Sequence, residues 1–542
     1  MRSRSPDVAV ALLLLLTNCT SEAPETPADN YSEPGPVPTK MACEDLVSLT
    51  GYDYSISSAR FVAATDDLPE YCEVRGQILP EVAFEVGLPT RWNRRFLMEG
   101  NGGFAGWLDN PGATDMAIGE FFAGARTNAG HRAPSEIELA ASFAVDPQKL
   151  IDFAYRSVHV TTETAKEIIS RYYDVPLEYS YFSGCSTGGR QGLMSAQRFP
   201  DDFDGILVDA PVLDQVGTVI SHAWVAKALR DAPLDLTLLA ERVYDQCDSI
   251  DGLPDGLIDD PRKCGFDPRT DVPVCKGNAE ESGCYTSQEI EALAAVYADI
   301  IVDGERLFPG FPVGSEVFVE APWGVVSGWD GARVGSGKPL FVAFTETFLR
   351  YMAFQRPDPD FDMFDFDFEK DPARMEWLRP IVDATNPNLQ RFHESGGKLL
   401  MSFGWADQAL NPLMGIEYYD RVLEEFGPSV PDFFRLFMVP GMFHCGGGVG
   451  VDSIPWLSEL VRWVERGIAP ERIEGKRTGE LRRVGEDTIG WTRPLCPYPK
   501  VARYNGEGNI DEASNFECVN PAGSSVSDPN SSVEGRGLGS SG

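Results

Sequence analysis

Apolar and polar positions along this chain fall into alternating blocks that predict strands and helices in turn. Arg95-Phe-Leu-Met-Glu99 reads as a short strand running into the glycine-rich Gly100-Asn-Gly-Gly103. Apolar residues recur at helical spacing from Ile151 to Tyr172, and Tyr179-Ser-Tyr-Phe-Ser183 has the apolar run of a buried strand. A helix is expected from Gly188 to Arg198. Later, Lys398-Leu-Leu-Met-Ser-Phe403, Pro412 to Phe426 and Phe434 to Val439 predict strand, helix and strand. Such alternation predicts a parallel sheet covered by helices, an α/β fold.

Two regions break the pattern. From about residue 213 to 385 the texture changes to an aspartate-rich cysteine loop, scattered Trp and Phe, and the stretch Pro357 to Asp371, dense in Asp and Phe. This reads as an insertion into the core. The Ser/Gly-rich tail, 523–542, is expected to be disordered. At the other end, Arg2 and Arg4 precede an unbroken apolar run, Val8 to Leu16, too short to cross a bilayer's hydrocarbon core of ~30 Å as a helix. Residues 1–19 therefore read as a secretory signal, followed by a polar, proline-rich linker over 20–40. Cys19 sits where a lipoprotein's lipidated cysteine would sit; a lipid anchor and an ordinary cleaved signal both remain open. The core is expected over 41–212 and 386–522, flanking the insertion at 213–385.

The chain has 542 residues, and 46 Lys+Arg against 83 Asp+Glu leave a net charge of −37. That excess repels phosphate backbones and anionic lipid, so nucleic acid and charged membrane surfaces are not expected partners. No later segment is long and apolar enough to span a membrane. Export also changes how the cysteines read. Without Cys19 there are ten: Cys43, Cys72, Cys185, Cys247, Cys264, Cys275, Cys284, Cys445, Cys496 and Cys518. An even number in an oxidising compartment argues for disulfides over metal thiolates. Connectivity is not fixed by spacing, but Cys247–Cys264, Cys275–Cys284 and Cys496–Cys518 are natural local pairs. Cys43–Cys72 and the long-range Cys185–Cys445 remain.

Gly184-Cys185-Ser186-Thr187-Gly188 fits G-x-S-x-G between a predicted strand and a predicted helix. In that context the glycines permit a sharp turn that lifts the serine oxygen above the sheet edge, and the helix N-terminus favours a developing oxyanion. A serine nucleophile needs a base, and the chain has five histidines. His444 follows one predicted strand and Asp407 another, so the order Ser186, Asp407, His444 is that of an α/β-hydrolase. His131, His159, His222 and His393 lack this placement, and hydrogen-bonded structural roles are expected for them. If Ser186 and His444 meet, Cys185 and Cys445 beside them come close enough to bridge.

With these residues in view, the segment from Gly184 to Gly192, Asp407 and His444-Cys445 resemble the tannase and feruloyl esterase family, which also includes bacterial mono(2-hydroxyethyl) terephthalate hydrolases. The resemblance runs from about Cys43 to Cys518. It implies an α/β-hydrolase core with a large inserted lid carrying a calcium loop, the five cysteine pairings above, and hydrolysis of aromatic acyl esters of the feruloyl, galloyl or terephthalate-monoester kind. It further implies an oxyanion hole from the backbone N–H of Thr187 together with Gly102 or Gly103. No organic cofactor is expected.

The stretch from Asp248 to Asp260 crowds acidic side chains whose repulsion calls for a cation. Its spacing does not fit an EF-hand. The resemblance implies a structural calcium ion held by the side chains of Asp248, Asp251 and Asp255 and the carbonyls of Leu253 and Leu257. Candidate substrate contacts are Leu410, Trp323, Trp329, Phe344 and Phe348, with Arg350 as a partner for a substrate carboxylate or, alternatively, for a surface acid. A non-catalytic, calcium-stabilised surface lipoprotein that binds polyphenols or glycans is the competing reading.

Overall fold

A computed structural model describes residues 34–108, 114–133, 139–232, 234, 236–276, 283–316, 320–321, 324–325, 338–479 and 490–521. The signal segment with Cys19, most of the expected linker, Trp323, Trp329 and the Ser/Gly tail lie outside the described residues. Nine strands form one sheet: β1 (Tyr54–Val62), β2 (Tyr71–Ile78), β3 (Val82–Pro89), β4 (Arg95–Glu99), β5 (Ala123–Thr127), β6 (Tyr179–Cys185), β7 (Gly205–Asp209), β8 (Lys398–Gly404) and β9 (Phe434–Val439). Their spatial order is β1-β2-β3-β5-β4-β6-β7-β8-β9. The first three and β5 pair antiparallel in turn, whereas β5, β4, β6, β7, β8 and β9 are parallel neighbours. The expected parallel sheet is thus mixed, with an antiparallel flank at its N-terminal side.

Period-2 alternation explains why the central strands read as continuous apolar runs. Phe96, Met98, Phe182, Ile206, Val208, Leu399 and Met401 enter one core. Their neighbours Leu97, Tyr181, Leu207 and Leu400 enter another on the opposite face. A sheet buried on both faces leaves no polar side to alternate. Helices α1 (Ser157–Tyr172) and α2 (Thr187–Arg198) contribute Ile168, Ile169, Leu193 and Met194 to the first core. The helix expected from Ile151 contains a wide π turn at Asp152–Arg156 before α1. Buried Arg190 of α2 donates to the carbonyls of Phe153 at 3.2 Å and Ala154 at 2.9 Å within that turn.

Between β7 and β8 the chain forms α3 (Gln215–Leu229), α4 (Leu236–Cys247), α5 (Ser287–Tyr297) and α6 (Leu340–Tyr351). The ends of this excursion meet, since the Ala384 N–H donates to the Leu213 carbonyl at 2.7 Å. Val225, Leu239, Leu293 and Phe341 form an apolar cluster within it. A second cluster joins Val219, Phe344 and Phe348 to Phe104 and Phe153 of the core, which seats α3 and α6 above the sheet's C-terminal edge. The remaining long helices are α7 (Leu413–Phe426) and α8 (Trp456–Arg466), and Leu460, Val461 and Trp463 of α8 cover the second face.

All five cysteine pairs are disulfides: Cys43–Cys72, Cys185–Cys445, Cys247–Cys264, Cys275–Cys284 and Cys496–Cys518. Near the N-terminus, Val37 already donates to Thr90 at 2.9 Å and Lys40 to Tyr172 at 2.7 Å, so the last residues expected as linker lie along the core. Among the described residues no helix is long and apolar enough to cross a membrane.

Candidate active site

Strand order reverses between β4 and β6: the chain leaves β4 toward β5 on one side and β6 toward β7 on the other. In open α/β sheets such a point opens a crevice at the strands' C-terminal ends. The loop after β4 and the turn after β6 both empty there. Ser186 occupies that turn with φ 60° and ψ −119°, a conformation that costs a non-glycine residue of order 1–3 kcal/mol. Its surroundings hold it in place. Its N–H donates to the Asp209 carbonyl at 3.0 Å, and its own carbonyl accepts from Arg190 at 3.0 Å and Val212 at 3.1 Å. The motif glycines are steric requirements, because a Cβ at Gly184 would lie 2.7 Å from the Gly188 carbonyl carbon, and one at Gly188 would lie 3.0 Å from the Asn101 oxygen.

The glycine-rich loop is pinned to α2. Thr187 Oγ1 donates to the Gly103 carbonyl at 2.6 Å, and Asn101 exchanges two hydrogen bonds with Gln191, each 3.0 Å long. Gly103 has φ +52°, in the left-handed region that favours glycine. No spacing along the chain signals the pairing of Asn101 with Gln191. Only their contact across 90 positions reveals that they lock loop and helix together.

Asp407 and His444 follow β8 and β9. Asp407 is fully buried, and its Oδ1 accepts from the N–H groups of Ala409 at 2.9 Å and Leu410 at 2.8 Å. Its Oδ2 lies 2.9 Å from His444 Nδ1. Burial disfavours the imidazolium, but the charge and hydrogen bond of Asp407, with the charge of Asp209 behind, outweigh it and raise the His444 pKa. The Gln408 side-chain oxygen accepts the His444 backbone N–H at 3.1 Å and fixes the loop that carries it. Ser186, Thr187, Gly102, Gly103 and His444 line one cavity of about 550 Å³. A ring nitrogen of His444 and the sulfurs of Cys185 and Cys445 lie within 4.8 Å of one another, with both sulfurs spent in the disulfide.

Two further acids stand at this edge without a sequence signal of their own. Asp209 ends β7, accepts from the Ser402 hydroxyl at 2.7 Å, and is pushed by burial up to about 6. Glu99 ends β4 in the cavity wall, where burial lifts it to about 7 against the pull of Arg126.

The candidate contacts separate. Leu410 and Phe344 line the cavity, and Phe344 stacks on Phe104 with ring centroids 4.3 Å apart. Phe348, one helical turn on, is fully buried in the apolar cluster. Arg350 pairs with Glu346 at 2.8 Å and donates to the Phe361 carbonyl, so it answers a protein acid and a carbonyl instead of lining the cavity. Of the other histidines, His159 meets Asp202 at 2.9 Å, His131 approaches the Ala129 carbonyl at 3.3 Å, His393 packs on Phe433, and His222 reaches the cavity wall.

In the aspartate loop, Asp248 Oδ1 accepts from Asp255 at 3.1 Å and Gly256 at 2.8 Å, and Asp251 Oδ1 accepts from Leu253 at 2.9 Å. Asp255 accepts from Leu257 at 3.2 Å and pairs with Arg493. The Asp251 and Asp259 carboxyls hydrogen-bond to each other, and burial raises both, with mutual repulsion adding to it at Asp259. An oxygen-only donor set with buried, mutually repelling carboxyls fits the chemistry of a hard cation. No three of these carboxylates converge within 4.8 Å among the described residues.

Known proteins resemble this chain along most of its length. A family model described as tannase and feruloyl esterase matches residues 67–519. An uncharacterized esterase of Xanthomonas campestris pv. campestris is 35% identical, covering 88% of this chain and 91% of that protein. The mono(2-hydroxyethyl) terephthalate hydrolase of Piscinibacter sakaiensis is 32% identical, covering 90% and 93%. The crystal structure of feruloyl esterase B from Aspergillus oryzae superposes with a TM-score of 0.75 at 27% identity, covering 88% of this chain and 99% of that one. The chain thus has the α/β-hydrolase fold, belongs to the tannase and feruloyl esterase family, and is a carboxylic ester hydrolase.

Proposed function

We propose that this chain hydrolyses esters of aromatic acids by a two-step acyl transfer on Ser186. The observation that carries the reading is one cavity bordered by a serine on a strained strand-to-helix turn and by a histidine already paired to a buried carboxylate. A carboxylate only accepts, so His444 Nδ1 holds its proton toward Asp407 and leaves Nε2 as the base. As Ser186 Oγ attacks the ester carbonyl, Nε2 takes the hydroxyl proton and then delivers it to the leaving alcohol. The backbone N–H of Thr187, at the N-terminus of α2, and an N–H of Gly102 or Gly103 receive the oxyanion. Water, activated by the same base, releases the acid and restores Ser186.

Feruloyl, galloyl and terephthalate-monoester substrates all suit a cavity walled by Phe104, Phe344 and Leu410. Residues 213–385 serve as a lid, and the aspartate loop holds a calcium ion that neutralises the acids of that turn, remote from the reacting atoms. The five disulfides and the N-terminal apolar run support export, with Cys19 as the candidate lipid anchor. A fluorophosphonate probe should label wild-type protein, and Ser186→Ala should lose both labelling and ester turnover. Turnover surviving in Ser186→Ala would overturn the reading, and absence of labelling in the wild type would favour a binding protein.

A further inference from the structure

A second cavity, of about 440 Å³, lies on the face of the sheet that α8 covers, opposite α2. It shares no lining residue with the substrate cavity, and its volume falls in the range of small-molecule sites. Phe122, Leu207, Trp456 and Leu457 give it apolar walls. Glu120, Pro455 and Ser458 on its border are exposed, so its mouth is open to solvent. The inner wall is the end of β6, Ser183-Gly184-Cys185, which leads straight into the nucleophile, together with Asp209 at the end of β7. The charged side chains on these walls are both acids, Asp209 and Glu120, with no Lys, Arg or His beside them. An anion would meet two carboxylates and no counter-charge, which excludes the aromatic acids that ester hydrolysis releases. A cation meets both acids and the half-buried indole of Trp456. Asp209 keeps part of its surface, and burial raises its carboxyl to about 6, so its ionised form gains from a positive charge brought alongside.

We propose that this cavity is a regulatory site for a small arylalkyl amine in its ammonium form, with the ring among Phe122, Trp456 and Leu457 and the charge toward Asp209 and Glu120. The site is coupled to the nucleophile by short links. Cys185 precedes Ser186 in the chain, and the Asp209 carbonyl accepts the Ser186 N–H at 3.0 Å. The Asp209 charge also supports the proton that His444 takes up as Ser186 attacks. An ammonium beside Asp209 offsets that support, so an occupied site slows acyl transfer without entering the substrate cavity.

The test titrates phenethylammonium into the full chain by saturation-transfer NMR, with hydrocinnamate and phenethyl alcohol as anionic and neutral probes of similar size. The ammonium should bind about tenfold more tightly than the anion and about threefold more tightly than the alcohol. Leu457→Trp, which fills the second cavity, should abolish that binding, and Leu410→Trp, which fills the substrate cavity, should leave it. In methyl ferulate hydrolysis the ammonium should lower kcat about two- to fivefold at unchanged KM, and Leu457→Trp should remove the effect. Equal binding of the three probes overturns the proposal, as does binding that Leu410→Trp abolishes and Leu457→Trp does not. Selective binding that leaves kcat untouched overturns it too, because the site then regulates nothing. If Leu457→Trp does not fold, Ser458→Trp at the mouth takes its place. Absence of any ester turnover would defeat the esterase reading instead, and the binding measurements would still decide whether the cavity takes the amine.

Discussion

Asp407→Asn changes one atom of a fully buried side chain and asks what that atom does. The carboxylate accepts three hydrogen bonds: two from backbone N–H groups, at 2.9 and 2.8 Å, and one from His444 Nδ1, at 2.9 Å. Asparagine has a single oxygen, which the two backbone donors claim. Its NH₂ group then faces Nδ1. Two donors cannot share that contact, so the imidazole hydrogen moves to Nε2, the nitrogen needed as base. The expected loss is about 10⁴-fold in kcat, or roughly 5 kcal/mol of transition-state stabilisation. The fold should lose far less, about 1 kcal/mol, since volume and the backbone contacts are kept. Steady-state hydrolysis of methyl ferulate beside thermal denaturation separates the two. Asp209→Asn is the control: it keeps the 2.7 Å bond from Ser402 and should cost no more than about tenfold. If Asp407→Asn stays close to wild-type activity, or if Asp209→Asn is the more damaging change, Asp407 is not the orienting acid.

Other outcomes follow from the same geometry. The attacking serine needs neutral His444, whose pKa stands above its usual 6.5, so kcat/KM should fall with acidification already above that value. Asp407→Asn should move the inflection down, and a pH profile with no titration in that range would contradict the assignment of the base. The Cys185–Cys445 bridge closes a separation of 260 residues, and loop-closure entropy assigns it roughly 5.6 kcal/mol. The Cys185→Ser/Cys445→Ser double variant should therefore unfold at markedly lower denaturant and turn over more slowly; unchanged midpoint and rate would show that packing alone holds nucleophile and base together. Calcium should raise Tm and a chelator lower it, with Asp251→Asn blunting both shifts, whereas a Tm indifferent to calcium would leave the aspartate loop without its ion.

Much of this was legible in the chain itself, because local chemistry announces itself locally. A strained strand-to-helix turn needs glycines around the serine, and they stand at Gly184 and Gly188. A strand buried on both faces reads as an apolar run with no alternation, as Tyr181-Phe182 of β6 and Leu399-Leu400-Met401 of β8 do. Cysteines at short spacing found each other, and the position of Cys185 and Cys445 beside the proposed nucleophile and base anticipated the long bridge. Arg350 reads in the sequence as a partner for a substrate carboxylate or for a surface acid, and the structure pairs it with Glu346 one helical turn before it at 2.8 Å.

Other features depend on contacts that no spacing encodes. Phe344 and Phe348 share one face of α6, and only the seating of that helix over Phe104 decides which of them borders the cavity. Asp255 meets Arg493 across 238 positions, so part of the aspartate loop's charge is answered by the protein itself. Asp209 looks like any residue closing a strand until β8 lays Ser402 beside it. His222 follows no strand and reads in the sequence as structural; the fold carries α3 over the crevice, bonds one ring nitrogen to Ala409, and brings the residue into the cavity wall. Periodicity and turn chemistry are properties of neighbours in the chain and are read there. Which buried polar atom finds which partner is set by packing between segments hundreds of residues apart.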